Sequence, residues 1–189
     1  MRPTWDKYFI DMCDLVSTRG TCDRKKVGAV LVKDKRVIST GYNGSLPGLP
    51  HCDDPEEYWE CPVCKDRNIK QPTIPATGGK YILKCKDWSC SGIPIQHKGG
   101  HLMVEGHCVR TIHAERNAIA QAALTGQITK GSVLYCNTFP CWTCFQLVVS
   151  AGIQEIIYKD AYGEDNMQLV NKIAGDLSPP ITIRQYKES

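Results

Sequence analysis

This chain of 189 residues lacks the signals of several common protein classes. No apolar run is long enough to span a bilayer, and the segment after Met1 does not have the pattern of a signal peptide. The net charge is only +3, acidic residues are interleaved with the basic ones, and no stripe of one sign stands out. We also find no internal repeat and no low-complexity tract. We therefore expect a soluble, cytoplasmic, globular protein with no membrane and no nucleic-acid partner.

Cysteine, in contrast, is abundant, with eleven residues. In a secreted chain this number would indicate a disulfide framework. Here there is no export signal, the count is odd, and several cysteines stand in C-x-x-C pairs near histidines, which favours metal binding. The length favours one domain over residues 1–189 rather than two.

One group of residues has the composition of a catalytic metal site. His113 and Glu115 stand in the stretch His-Ala-Glu, while Cys141 and Cys144 stand in Pro-Cys-Trp-Thr-Cys. An imidazole and two thiolates supply three zinc ligands and leave the fourth position for water. Zinc lowers the pKa of such a water from about 15.7 toward roughly 7. Glu115 is left to move protons.

The order and placement of these residues favour one class of chemistry. Each piece lies where a strand or loop ends and a helix begins, so we expect the metal to lie beyond two helix N-termini, where thiolates are stabilised. H-x-E followed by P-C-x-x-C is the signature of the zinc deaminases. Singly, the residues allow plainer interpretations. His113 and Glu115 could be surface residues, and the cysteines a redox dithiol or half of a structural zinc site.

Hydrophobic periodicity predicts an α/β fold. Helical spacing covers residues 5–17, 111–125, 142–151 and 165–174, and strand-like runs cover 27–32, 36–41, 132–137, 153–158 and 181–184. The first two strands read as a hairpin, and the later β-α-β order implies a parallel pair. We predict a three-layer α/β/α sandwich with a mixed five-stranded sheet.

Residues 53–108 interrupt this rhythm, because Cys, Gly, Pro and charged residues accumulate there and apolar periodicity is lost. We interpret this stretch as a Cys/His-rich insertion. It contains Cys61, Cys64, Cys85 and Cys90, whose spacing is close to that of a four-thiolate zinc ribbon. A metal would supply stability that so few apolar residues cannot. Loosely ordered free thiols are the alternative.

Several stretches together resemble the deoxycytidylate (dCMP) deaminases of the cytidine deaminase superfamily, in particular those of bacteria and phages. The resemblance spans most of the chain and rests on Val27-Gly28-Ala29, on Gly41-Tyr42-Asn43-Gly44, on residues 106–119 with His113 and Glu115, on Pro140-Cys141-x-x-Cys144 and on Ala151-Gly152-Ile153. It implies a cytidine deaminase-like fold.

The resemblance also implies an activity. A member of this family is a zinc-dependent hydrolase that converts dCMP to dUMP and ammonia and so supplies dUMP for thymidylate synthesis. An activated water attacks C4 of cytosine, and Glu115 takes its proton, delivers it to N3 and helps ammonia leave. Proton transfer of this kind accelerates a reaction roughly 10²- to 10⁴-fold.

Regulation and assembly follow from the same resemblance. Gly41, Tyr42, Asn43, Gly44 and Ala114 resemble positions that bind the substrate or a nucleoside triphosphate effector, with dCTP as activator, dTTP as inhibitor and Mg²⁺ as companion of the triphosphate. Family members are usually homo-oligomers, and a hexamer is favoured here.

Two polar residues keep two interpretations each. The amide of Asn43 resembles a group that bonds sugar hydroxyls, but Asn before Gly is also an ordinary turn dipeptide. Tyr162 follows a predicted strand at its carboxyl end, where open α/β sheets place ligands. It contacts the substrate phosphate or is an ordinary loop tyrosine.

A second, structural zinc is expected from the resemblance as well. Cys22 and Cys52 match ligand positions of bacterial and phage members, and His101 and His107 are the candidates for the other two ligands. Cys108 competes with His107 for the last position. The alternative is a set of buried thiols and surface histidines.

Two other functions compete with a dCMP deaminase. A nucleic-acid deaminase, such as a tRNA adenosine deaminase, shares both zinc motifs but would be more basic. A zinc-ribbon binding module would use the cysteines of residues 53–108 to hold a partner. The intact set of His113, Glu115, Cys141 and Cys144 argues against lost catalysis.

Overall fold

The computed structural model of the protein describes residues 2–54, 58–61, 63–65, 95–97, 99–101, 103–104 and 107–188. Within these ranges the helices are α1 (Trp5–Ser17), α2 (Ala114–Leu124), α3 (Trp142–Ser150) and α4 (Glu164–Asp176). The longer strands are β1 (Gly28–Lys33), β2 (Arg36–Tyr42), β9 (Val133–Thr138), β10 (Glu155–Asp160) and β11 (Thr182–Gln185). The shorter strands are β3 (Gly44–Ser45), β4 (Tyr58–Glu60), β5 (Ile95–His97), β6 (Met103–Val104), β7 (His107–Cys108) and β8 (Thr111–Ile112). None of the helices in this described part has the length and apolar character needed to cross a membrane.

The five longer strands form one mixed sheet in the order β11, β10, β9, β1, β2. β1 pairs antiparallel with β2 and with β9, whereas β10 runs parallel to both β9 and β11. Parallel neighbours need a crossover connection, and α3 and α4 lie in the two connections. The predicted mixed five-stranded sheet is confirmed.

Separate hydrophobic clusters cover the two faces of this sheet. On one face, Phe9 of α1 packs with Val30 and Val32 of β1. On the other face, Ala29 and Leu31 of β1 join buried residues of α2, α3 and α4. Successive side chains of a strand point to opposite faces, so β1 supplies both clusters with alternate residues. The predicted three-layer arrangement is therefore confirmed as well.

Small residues allow α2 to approach the sheet closely. Ala114 and Ala118 of α2 are fully buried. A Cβ atom on Gly41 of β2 would lie 2.2 Å from the carbonyl oxygen of Ala114 and 2.3 Å from the amide nitrogen of Ala118. The strand and the helix can approach this closely because position 41 has no side chain. This contact fixes the first turn of α2 against the sheet.

The central helix begins later than the periodicity predicted. Residues 111 and 112 belong to β8, which pairs antiparallel with β3, and α2 begins at Ala114. The helix ends at Leu124, and Gly126 follows with φ +69°, a left-handed conformation suited to glycine after a helix end. The predicted end of the helix, residue 125, is therefore closer to the observed end than the predicted start, residue 111, is to the observed start.

Short antiparallel pairs occur between β3 and β8. β4 pairs with β5, and β6 pairs with β7. That residues 53–108 form an insertion stays a prediction.

Candidate active site and metal centres

Two helix starts bring the predicted metal ligands together. His113 immediately precedes α2 and Cys141 immediately precedes α3, both in an extended backbone conformation. Neither side chain caps its own helix. Cys144 lies within the first turn of α3, three residues beyond Cys141. The side chains at the two helix starts can therefore meet each other.

The distances among these three residues fit a zinc ion. Nδ1 of His113 lies 3.4 Å from Sγ of Cys141 and 3.4 Å from Sγ of Cys144. With Zn–S bonds of about 2.3 Å and Zn–N bonds of about 2.0 Å, a tetrahedral site separates sulfur from nitrogen by roughly 3.5 Å. The three residues can hold zinc and leave one position for another ligand.

The two thiols of this group differ in their affinity for a proton. The hydrogen bond with Cys144 is the main reason why the pKa of Cys141 falls to about 3, and a hydrogen bond with His113 contributes. The same contact between the thiols, together with burial, raises the pKa of Cys144. The lowered pKa of Cys141 favours the thiolate, the form in which cysteine binds metals.

Glu115 adds a buried carboxyl group in the first turn of α2. Its side chain is only 4% exposed. Burial is the main cause that raises the pKa of Glu115, and the neighbouring imidazole of His113 acts in the opposite direction. A raised pKa makes a carboxyl group a better proton acceptor, and a buried carboxyl of this kind is suited to general acid–base catalysis.

A cavity of about 250 Å³ opens beside these residues. Its lining includes His113, Ala114, Glu115 and Cys141 from the helix starts. Other segments contribute Cys22, Arg24, Lys25, Val27, Asn43, Cys108, Thr111, Thr138, Phe139 and Tyr162. Among the described residues of this lining, Glu115 is the only carboxylate and Arg24 and Lys25 are the two cations.

Asn43, one of the predicted substrate or effector residues, braces the backbone before β1. Its side-chain NH₂ donates to the carbonyl of Lys25 at 2.7 Å, and its side-chain oxygen accepts from the amide of Val27 at 2.8 Å. Asn43 is only 7% exposed and also lines the cavity. Its contact with a sugar hydroxyl stays a prediction.

The other predicted effector residues contact the central helix or β8, the strand before it. Gly41 packs against α2, the carbonyl of Tyr42 accepts a hydrogen bond from the side chain of Asn117 at 2.6 Å, and Gly44 pairs with Ile112. Tyr42 is 37% exposed. The structure therefore gives Gly41 and Gly44 packing and pairing roles.

A second group of potential metal ligands borders the same cavity. Ligand atoms of Cys22, Cys52 and His101 all lie within 4.8 Å of one another, and Cys22 Sγ is 3.9 Å from His101 Nδ1. Cys108 Sγ lies 3.5 Å from Cys52 Sγ. The other ring nitrogen of His101 bonds the carboxylate of Asp23 at 2.7 Å, as is usual for a metal-bound histidine. Three sulfurs and one nitrogen make a closed set typical of structural zinc.

Cys108, which competes with His107 for the last ligand position, lies beside this group, and the choice between the two stays a prediction. Cys108 is buried with Cys22 and Cys52 in one cluster. The structure describes the backbone of His107 in β7 but not the side chain of this residue.

The structure describes two of the four predicted ligands of the third metal site, Cys61 and Cys64. Cys61 is fully buried and Cys64 is exposed. The backbone amide of Lys65 donates to the carbonyl of Cys61 at 2.9 Å, and Lys65 has φ +61°, so the C-x-x-C stretch closes in a tight turn. Cys85 and Cys90 lie outside the described residues.

A residue of α4 holds the backbone around Cys141. The side-chain oxygen of Asn166 accepts from the amide of Trp142 at 2.8 Å, and its side-chain NH₂ donates to the carbonyl of Pro140 at 3.1 Å. Asn166 thus caps the start of α3 in place of Cys141, whose sulfur faces the other ligands.

Sequence reasoning missed this residue, two that line the cavity and one that supports the start of β1. Arg24 and Lys25 line the cavity, and the side-chain oxygen of Asn137 accepts from the amide of Gly28 at 3.0 Å. The sequence could have indicated Arg24 and Lys25, because they stand between Cys22, a predicted metal ligand, and the first strand. For Asn137 and Asn166 no local pattern exists, because their partners lie 109 and 24 to 26 residues away in the chain.

Comparison with known proteins identifies relatives of the chain. The family model "Cytidine and deoxycytidylate deaminase zinc-binding region" matches residues 3–160. The chain is 31% identical over 157 residues to the deoxycytidylate deaminase of Mycobacterium phage D29, and the match covers 83% of this chain and 95% of that protein. It is 31% identical over 187 residues to the deoxycytidylate deaminase of Saccharomyces cerevisiae, which covers 98% of this chain.

The chain is shorter than several of its relatives. It spans between 40% and 62% of the length of three cellular proteins, the yeast deaminase among them. Its fold is similar to the crystal structure of the dCMP deaminase from cyanophage S-TIM5 in complex with dCMP and dUMP. That match has a TM-score of 0.63 and 19% identity, and it covers 98% of this chain and 99% of the phage chain. The chain therefore belongs to the family of the cytidine and deoxycytidylate deaminases.

Proposed function

We propose that the protein hydrolyses dCMP to dUMP and ammonia. The observation that carries the proposal is the buried carboxyl of Glu115 beside three residues whose spacing fits zinc, all bordering one cavity. The family supports this chemistry, and the relatives named above act as deoxycytidylate deaminases.

The residues of the chain divide the work in this reaction. His113, Cys141 and Cys144 would hold a zinc ion. This ion would lower the pKa of a water next to the cytosine ring. Glu115 takes a proton from the water that attacks C4 of cytosine and passes it to N3. Glu115 then takes the remaining proton from the new C4 hydroxyl and gives it to the amino group, the C4–N4 bond breaks, C4 becomes a carbonyl and ammonia departs. One water is consumed, and one dUMP and one ammonia are formed.

Release of ammonia from a set of substrates tests this function. The purified protein is incubated with dCMP, deoxycytidine, dCTP and single-stranded oligonucleotides that contain cytosine or adenine. We expect turnover of dCMP. Turnover confined to an oligonucleotide would instead assign a nucleic-acid deaminase, and no turnover of any substrate would favour a binding module.

Replacing Glu115 tests the proton-transfer role separately. The Glu115→Gln variant should lose activity roughly 10²- to 10⁴-fold while zinc content, measured by mass spectrometry of the metal, stays at the wild-type level. Glu164→Gln changes another acidic residue in a helix first turn, in α4, and should retain activity. Loss of zinc in Glu115→Gln would contradict the assigned role.

We also propose a second, structural zinc held by Cys22, Cys52, His101 and Cys108. The short distances among these side chains and the support of His101 by Asp23 favour it. Zinc per chain should fall by one in Cys108→Ser and stay constant in His107→Gln. The reverse result would return His107 to the ligand set, and a wild-type value of one zinc per chain would remove the second site.

We also propose a third zinc at Cys61, Cys64, Cys85 and Cys90, which the tight turn around the first pair supports. A Cys61→Ser variant should lose one further zinc and keep activity toward dCMP. Unchanged zinc content would leave these cysteines as free thiols.

The regulatory proposal rests on the resemblance of residues 41–44 to an effector loop. The protein would act in the cytoplasm as a homo-oligomer, with a hexamer favoured, and supply dUMP for thymidylate synthesis. Activity is expected to rise with dCTP and Mg²⁺ and to fall with dTTP and Mg²⁺. Rates that do not respond to either nucleotide would remove regulation from the proposal.

A further inference from the structure

We propose that Thr111 is a positioning residue that ties the second metal site to the wall of the catalytic cavity. Its hydroxyl would hold thiolates that bind the second metal, and through them it would fix the wall against which the substrate binds. This inference rests on the proposed function and on the second zinc proposed with it. It adds that occupancy of the second site governs the affinity for the substrate.

The second metal site and the catalytic cavity share part of their lining. Cys22 belongs to the second group of potential ligands, and Cys108 lies beside that group. Both cysteines line the cavity, as do Thr111 and the catalytic ligand His113. A metal held by these thiolates would therefore lie behind one wall of the cavity, and a movement of its ligands would move that wall.

The hydroxyl of Thr111 contacts sulfur atoms from two different segments. Its Oγ1 lies 3.4 Å from Sγ of Cys52 and 3.4 Å from Sγ of Cys108. These two cysteines are 56 residues apart in the chain. A metal-bound cysteine is a thiolate, which accepts a hydrogen bond but has no proton to donate. The hydroxyl is then the donor, and it stabilises a thiolate in the position that the metal needs.

The backbone of Thr111 connects this site to the start of the catalytic helix. Thr111 lies in β8, which pairs with β3, and His113 follows this strand directly and precedes α2. The amide of Ser45 in β3 donates to the hydroxyl of Thr21 at 3.0 Å. Thr21 immediately precedes Cys22 in the chain. One short strand pair thus lies between ligands of the two proposed metals.

Three variants isolate the hydroxyl of Thr111. Thr111→Val removes the hydroxyl and keeps the branched shape of the side chain, whereas Thr111→Ser keeps the hydroxyl. Thr129→Val is the matched control, because Thr129 is also half-buried and its hydroxyl donates to the carbonyl of Ala151 at 2.7 Å rather than to a sulfur.

Zinc affinity supplies a readout that is independent of turnover. Competition with a chelator of known affinity is followed for each variant, and the zinc that Cys22→Ser lacks identifies the second site. Thr111→Val should bind this zinc about tenfold or more weakly than the wild type, the usual effect of losing a group that orients a metal ligand. Thr111→Ser and Thr129→Val should keep the wild-type affinity.

The link to the cavity predicts that KM for dCMP follows the occupancy of the second site. In Thr111→Val, KM should rise about fivefold or more, the lower range for coupling between two sites, when buffered free zinc is too low to fill the second site. It should return to the wild-type value when higher free zinc refills the site. Loss of the catalytic zinc has a different signature, because it lowers the number of active molecules and hence the apparent kcat rather than KM.

The outcomes separate this inference from the proposals on which it rests. A wild-type protein that does not deaminate dCMP refutes the proposed function and the effect on KM, whereas zinc affinity still decides whether Thr111 supports the second site. A wild-type value of one zinc per chain refutes the second site and the role of Thr111 with it. In an active protein that holds both zincs, unchanged zinc affinity in Thr111→Val refutes the role of Thr111 alone. A KM that does not follow occupancy of the second site refutes it as well.

Discussion

Asn166 belongs to α4, yet it fixes the backbone on both sides of Cys141. Its two hydrogen bonds, of 2.8 and 3.1 Å, engage the residue before and the residue after this ligand. The helix start needs such a partner, because the first amides of a helix have no acceptor within it and Cys141 does not cap α3. The orientation of a proposed zinc ligand thus depends on a side chain that touches no metal.

Removing this support should weaken the metal site. Asn166→Leu deletes both hydrogen bonds and should lower zinc affinity about tenfold or more, the usual effect of losing a group that orients a ligand. Competition with a chelator of known affinity measures the change. Asn171→Leu, at an exposed position of the same helix, is the matched control. Equal affinities in the two variants would show that Cys141 keeps its orientation without Asn166.

At this scale, the residues that could be predicted are those that belong to a local pattern. His113, Glu115, Cys141 and Cys144 stand in two short motifs whose spacing reflects the chemistry of zinc. Asn43, Asn137 and Asn166 act through side-chain amides that bond backbone groups far away in the chain. Such bonds depend on how the helices and strands pack, so no local spacing in the sequence predicts them.

At the scale of elements, β2 closely approaches the helix that carries Glu115. A Cβ on Gly41 would lie 2.2 and 2.3 Å from backbone atoms of α2. Backbone atoms cannot rotate away as the end of a side chain can. The helix or the strand would have to move, and the first turn of α2 would move with it.

Gly41→Ala should therefore lower both stability and activity. We expect the free energy of unfolding to fall by about 2–3 kcal/mol, as is typical of overpacking at a rigid site. Denaturant unfolding measures this. Gly175→Ala in α4 is the control, because a Cβ there meets nothing within 4 Å and alanine favours a helix over glycine by up to about 1 kcal/mol. A Gly41→Ala protein as stable as the wild type would mean that the helix shifts at little cost.

Hydrophobic periodicity predicted the bounds of the helices and strands closely. The main exception is the start of α2, and it has a physical reason. α1 was predicted at the observed residues 5–17, but α2 was predicted to begin three residues early. A helix start usually carries a capping side chain such as Ser, Thr or Asp. His113 occupies that place without capping, because its ring faces two thiols, so the usual signal of a helix start is missing.

At the scale of the whole molecule, a polar network joins the first helix to the last strand. Asp6 of α1 accepts hydrogen bonds from Arg184 of β11 at 2.7 Å and from the hydroxyl of Tyr135 of β9 at 2.9 Å. Arg184 also contacts Glu155 of β10 at 2.7 Å. Residues that are 178 positions apart in the chain thus meet on one face of the sheet.

This network makes the stability of the fold depend on pH in a defined direction. The hydrogen bond from Arg184 is the main cause that lowers the pKa of Asp6 below its ordinary value of 3.8, and the bond from Tyr135 adds to it. An aspartate with a lowered pKa in the folded state stabilises the fold above its unfolded pKa. The contribution is lost as the pH falls through the folded pKa.

Asp6→Asn should therefore destabilise the protein near neutral pH and have little effect in acid. We expect a loss on the order of 1 kcal/mol at pH 7, kept modest because the Asp6 side chain is 29% exposed and water screens the pair. The two proteins should begin to converge below about pH 4 and should reach equal stability only below the folded-state pKa of Asp6. Denaturant unfolding across this pH range measures the difference in stability between the two proteins. Any release of metal in acid affects both proteins and therefore cancels from this difference. Asp11→Asn, which breaks only an exposed pair with Lys7 on α1, should change stability less at every pH. A loss in Asp6→Asn that persists unchanged at pH 3 would mean that Asp6 acts by packing rather than by its charge.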